Sequence, residues 1–172
     1  MTRRVIVRFA TAFAAMALSL VSWTASAYAS EPGFQILVND RTDKCVDVAG
    51  HSAVAGGVLH EWDCGHDSNS HNQHWGVRNT DANGFFNLLV HEHGFCMAEH
   101  GLNAQLTQEN CDGRSSELWR WAPDPSAGRL WLQSFSGLCV ALIPNTVKNG
   151  TPIGVQFCSD SSASHWHAEP TQ

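Results

Sequence analysis

Basic residues are scarce in this chain. Its 172 residues include 10 Lys and Arg against 16 Asp and Glu, a formal charge of −6 with histidines neutral. Three of the basic residues, Arg3, Arg4 and Arg8, stand at the extreme N-terminus; without them 7 remain against 16 acidic, a formal charge of −9. A surface of that sign argues against nucleic acid and anionic membrane as partners. No block of like charge and no low-complexity tract is present, so nothing suggests a solvated tail. After the opening segment there is no second hydrophobic span and no window with a sustained helical period. H-E-x-x-H and a serine nucleophile elbow are also missing. Carboxylates are plentiful, but no acid–base pair can be picked out without a cleft.

The opening segment has a different character. MTRRVIVRF is basic, ATAFAAMALSLVSW is apolar, and TASAYAS offers small residues at an A-x-A spacing. This is the plan of a secretory signal peptide. Cleavage after Ala27 or Ala29 fits, and the second leaves 143 of the 172 residues. The pair Arg3-Arg4 also raises a twin-arginine route. The apolar run is too short for a membrane anchor, and no cysteine stands at the cleavage region for lipid attachment. Residues 1–29 are read as leader and 30–172 as one secreted domain. All six cysteines lie in that domain, and an even count in an exported chain reads as disulfides rather than metal ligands.

The cysteines expose an internal repeat. Cys45 and Cys64, Cys96 and Cys111, and Cys139 and Cys158 form three successive pairs. Before each first cysteine sits a short apolar run (FQILV, FNLLV, LWLQS), and 8 to 11 positions after each second one comes Trp75, Trp119 or Trp166. The units span about 34–80, 85–124 and 129–170. Their runs are β-branched or aromatic and bounded by Gly, Asn, Asp and Pro, so they read as strands. WGVRNTDANGFFNLLV and WRWAPDPSAGRLWLQS each read as strand, turn, strand and join one unit to the next. One unit alone has too little apolar surface for a core, so the three must close on each other. The three tryptophans would then meet near a pseudo-threefold axis.

The first unit carries C-x-D-V, then E-W-D-C, then N-Q-x-W. Together with the two further cysteine–tryptophan frames this resembles the ricin-type lectin repeat over essentially the whole of residues 30–172. The resemblance implies an all-β fold, the β-trefoil, and binding of a glycan or polysaccharide, with a galactose-type pyranose as ligand and no metal or other cofactor. The repeated frame puts one bridge inside each unit, Cys45–Cys64, Cys96–Cys111 and Cys139–Cys158, one of the 15 pairings that six cysteines allow. Nearly all of the chain is used by the trefoil frame, so no catalytic domain is expected, and a monomer is.

A sugar offers hydroxyls on its rim and a C–H patch on its face, so its sites pair polar side chains with one aromatic platform. By family position Asp47 accepts from hydroxyls and Trp62 is the platform. Asn72 makes a direct sugar contact, and Gln73 stands behind the Asp or is purely structural. His60 bonds a hydroxyl or simply sits exposed. The other units depart from this set. Ala98 and Ala141 replace the Asp, Glu109 and Gln156 replace the platform, and SELW and ASHW replace N-Q-x-W. These losses keep a protein-binding trefoil, such as an inhibitor or toxin-associated adhesin, in view. Among the histidines, candidate metal ligands by type, His91 and His93 alternate, as do His165 and His167, which places each pair on one strand face. Spacing brings no three together, so they read as solvated loop residues.

Overall fold

The computed structural model describes residues 33–171; the expected leader, 1–29, lies outside the described residues. Twelve strands are joined by turns and four single-turn 3-10 segments, with no α-helix among the described residues. The strands fall in three sets of four. The first set is β1 (Phe34–Asn39), β2 (Lys44–Val48), β3 (Gly57–Asp63) and β4 (Trp75–Arg78). The second is β5 (Asn87–Val90), β6 (Cys96–Ala98), β7 (Thr107–Glu109) and β8 (Trp119–Asp124). The third is β9 (Arg129–Ser134), β10 (Cys139–Leu142), β11 (Thr151–Gln156) and β12 (Trp166–Pro170).

Outer strands of neighbouring sets pair in antiparallel hairpins, β4 with β5 and β8 with β9, and β12 returns to β1. Within a set, β1 pairs with β4, while β5 and β8 are joined by the Phe86–Trp119 bridge and β9 lies against β12. Six strands thus close a ring, which leaves few edges open. The inner strands form the hairpins β2–β3, β6–β7 and β10–β11 across one end. They converge through β3–β7, β3–β11 and a Gln105–Gly154 bridge. This is the β-trefoil. Gly154 sits at the convergence, where a Cβ would fall 2.4 Å from the Ala104 carbonyl oxygen, so only glycine fits without moving backbone.

The core is drawn from all three units. Leu59, Leu106 and Ile153, each five residues before a second cysteine, are fully buried in one cluster with Trp75, Trp119 and Trp166. Each indole Nε1 donates to the carbonyl of the residue after its own unit's first cysteine: Trp75 to Val46 (3.1 Å), Trp119 to Met97 (2.9 Å) and Trp166 to Val140 (2.9 Å). A buried indole N–H needs such an acceptor, which explains why the tryptophan recurs in all three units. The three disulfides lie inside the units as the frame implied, with Cα–Cα separations of 5.0, 5.1 and 4.9 Å.

Candidate functional site

Side chains alternate across a strand, and that alternation builds the site. On β2, Val46 and Val48 point into the core, leaving Cys45 and Asp47 on the opposite face. On β3, Leu59 is a core residue, and His60 and Trp62 face the other way. The hairpin register sets Asp47 opposite His60 and Cys45 opposite Trp62. The 3-10 turn His71–Gln73 then brings Asn72 and Gln73 against the Asp47 side. A cavity of about 440 Å³ opens here, lined among others by Asp47, His60, Trp62, Asn69, Asn72 and Gln73. All five residues expected from the sequence line it.

Asp47 is buried rather than open in a groove. Its Oδ1 lies 2.8 Å from His60 Nε2, and its Oδ2 accepts from Asn72 Nδ2 and Gln73 Nε2, both at 2.8 Å. Asn72 Nδ2 also donates to the Val48 carbonyl at 3.1 Å, and Gln73 Nε2 to the Asp63 carbonyl at 3.1 Å. Gln73 Oε1 in turn accepts from Gly65 N at 2.7 Å. A primary amide has two N–H donors, so the amide nitrogens of Asn72 and Gln73 are committed inside the protein. Trp62 is 44% exposed, and its indole stacks on the His60 ring, with centroids 5.3 Å apart at 23°. His60 is therefore not a loosely exposed residue; it bridges the Asp47 carboxylate and the Trp62 indole.

The same register shows what the other units hold. Ala98 faces Thr107 and Cys96 faces Glu109 in the second; Ala141 faces Gly154 and Cys139 faces Gln156 in the third. In the second, His100 Nε2 lies 2.7 Å from Thr107 Oγ1, which donates to Glu109 Oε1 at 2.7 Å, so polar groups there satisfy one another. Glu117 occupies the place of Gln73. Its Oε2 accepts from Asp112 N (3.2 Å) and Gly113 N (3.0 Å), just as Gln73 Oε1 accepts from Gly65 N. Burial pushes the Glu117 carboxyl upward. This position thus clamps the loop after the second cysteine, and Gln73 adds the donor to Asp47.

The histidines depart from the expectation. β5 ends at Val90, where Gly94 N donates to the Val90 carbonyl at 3.0 Å and closes a turn, so H-E-H is not a strand. His93 is exposed, whereas His91 is partly buried and converges with His71 and His74. His165 is not solvated. It is buried with its Nε2 2.7 Å from Asp124 Oδ2, while His167 Nδ1 lies 2.6 Å from Asp40 Oδ1. His71 and His74 flank Asn72 and Gln73, and backbone bonds from His91 and Glu92 tie them to the end of β5.

The sequence profile of the ricin-type β-trefoil lectin domain matches residues 34–166, and the chain belongs to that family of carbohydrate-binding β-trefoils. No protein of curated function matches the chain in sequence. Among solved structures, the designed threefold-symmetric protein ThreeFoil is similar at 20% identity and a TM-score of 0.71, over 79% of this chain and 97% of its own. The C-half of an earthworm R-type lectin, solved in complex with GalNAc, is similar at 17% identity and a TM-score of 0.66, over 81% and 99%. A mosquitocidal holotoxin gives 16% identity and a TM-score of 0.69, over 81% of this chain but 17% of the toxin.

Proposed function

We propose that this chain is a secreted, non-catalytic lectin that binds one pyranose unit of a glycan through its first unit. The observation that carries the reading is Asp47, held by three donors next to the exposed Trp62 indole. A carboxylate offers about four lone-pair positions, and three are taken, so Asp47 receives one sugar hydroxyl, on Oδ1. Asn72 contributes its carbonyl oxygen, since both of its N–H groups are used. Trp62 packs on the C–H face of the ring. Gln73 holds Asp47 and the Gly65 loop without touching the ligand. A galactose-type sugar follows from the family, and neither metal nor cofactor enters this binding step. Secretion rests on the leader-like start and the three disulfides.

A glycan array on the disulfide-bonded protein, followed by titration of the best ligand, tests the reading. Binding is expected for galactose-type termini and is lost in Asp47→Ala and Trp62→Ala. Parent-like binding by Asp47→Ala would remove the assignment and leave a protein-binding trefoil as the better account.

A further inference from the structure

We propose that His71, His74 and His91 form a binding site for a transition-metal dication such as Zn²⁺, separate from the sugar site and fastening the first unit to the second. Each residue offers a ring nitrogen, and the three nitrogens lie within 4.8 Å of one another. In a tetrahedral zinc site, bond lengths of about 2.0–2.1 Å put ligand nitrogens roughly 3.3 Å apart. Closure therefore needs side-chain adjustments on the order of an ångström, not a new backbone path.

The backbone already holds these segments together. His91 N donates to the His74 carbonyl at 2.8 Å, and Glu92 N to the His71 carbonyl at 3.3 Å. The ring of His71 lies edge-on to those of His74 and His91, with centroids 5.5 and 4.2 Å away, and Phe34 covers His91 at 4.2 Å. His74 is fully buried and the other two are partly so, which shields the cluster without sealing it. His74 Nε2 lies 3.3 Å from the Gly65 carbonyl. That contact orients the ring, as outer-shell carbonyls orient ligating imidazoles. Three neutral imidazoles suit Zn²⁺, Cu²⁺ or Ni²⁺ far better than Ca²⁺ or Mg²⁺. Water would complete the coordination.

Titration of tag-free, disulfide-bonded protein with ZnCl₂, without any sugar, tests this independently of the lectin reading. One Zn²⁺ per chain is expected, with a melting temperature that rises until one equivalent is bound. Co²⁺ in the same site should give visible d–d absorption that Zn²⁺ displaces. His91→Phe, which keeps an aromatic ring beside Phe34, and His71→Asn should each weaken binding at least tenfold, while His93→Ala, altering an exposed neighbour, should not. Circular dichroism checks that each variant is folded. Absence of saturable binding would overturn the proposal. So would binding that both cluster variants retain, or that His93→Ala loses.

Discussion

Asp47 has three of its lone-pair positions filled from within the protein, and this changes what its removal does. An exposed carboxylate could be deleted at little cost to stability. Here Asp47→Ala strands donors on His60, Asn72 and Gln73, and leaving buried donors unpaired costs about 1–3 kcal/mol. Urea denaturation should therefore show Asp47→Ala less stable than Trp62→Ala, although both abolish sugar binding. Gln73 permits a sharper separation. Glu117 does the loop-clamping half of its work in the second unit with a carboxylate. Gln73→Glu should consequently keep the fold, read by circular dichroism. It should lose sugar affinity at least tenfold, because it replaces the donor to Asp47 with a second carboxylate. Unchanged affinity in Gln73→Glu would mean that Asp47 does not need that support.

At the scale of elements, the hairpin is the unit of construction, and each of the three inner hairpins is stapled. The bridges span 19, 15 and 19 residues, and loops of that length correspond to about 3 kcal/mol each in the chain-entropy model. Replacing Cys96 and Cys111 together by Ala should lower unfolding free energy by about that amount and leave sugar affinity intact. The same change at Cys45 and Cys64 should weaken binding as well, since that bridge ties β2 to the residue after β3 and Cys45 stands opposite Trp62. A second kind of tie links the end of β8 to the segment before β12. Asp124 Oδ1 accepts from the backbone N and Oγ of Ser126, and Oδ2 bonds His165. The Ser126 hydroxyl above all, opposed by desolvation and aided by the Ser126 amide and by His165, lowers the Asp124 carboxyl from 3.8 to about 2. The fold thus favours the ionised form. Its contribution is complete above about pH 4 and is lost as the pH falls towards 2. Denaturation midpoints measured across that interval should fall for the parent, with a visibly flatter acid limb for Asp124→Asn.

For the whole molecule, the proposed reading sets a valency of one, because the frame occurs three times and the polar–aromatic set once. One shallow site should bind a monosaccharide with a dissociation constant on the order of 0.1–10 mM, and a monomer should not agglutinate cells. Strong agglutination by a monomeric preparation would require a second site, where the second unit holds Ala98 and Thr107 and the third Ala141 and Gly154. Gly154 cannot be replaced by histidine without moving backbone, because the Ala104 carbonyl occupies the space of its Cβ. In the third unit that position is taken up by the packing of the trefoil centre.

The sequence by itself determined the parts whose partners are near in the chain. Cysteine pairs, period-two strands, the two linking hairpins and the recurring tryptophans are local patterns, and the family's spacing led to Asp47, His60, Trp62, Asn72 and Gln73. How those five are used could not be read there. The exhausted amides, the buried carboxylate and the His60 stack on Trp62 depend on distances near 3 to 5 Å between two strands and a turn. Spacing failed outright for the histidines. H-E-H alternates like a strand, but the Gly94 turn ends β5 before it. His165 meets Asp124 across 41 positions, and His91 meets His71 and His74 only because β4 and β5 pair. The register of β4 on β5 and the approach of β8 to the segment before β12 make those contacts, and no interval along the chain encodes which side chains meet across them.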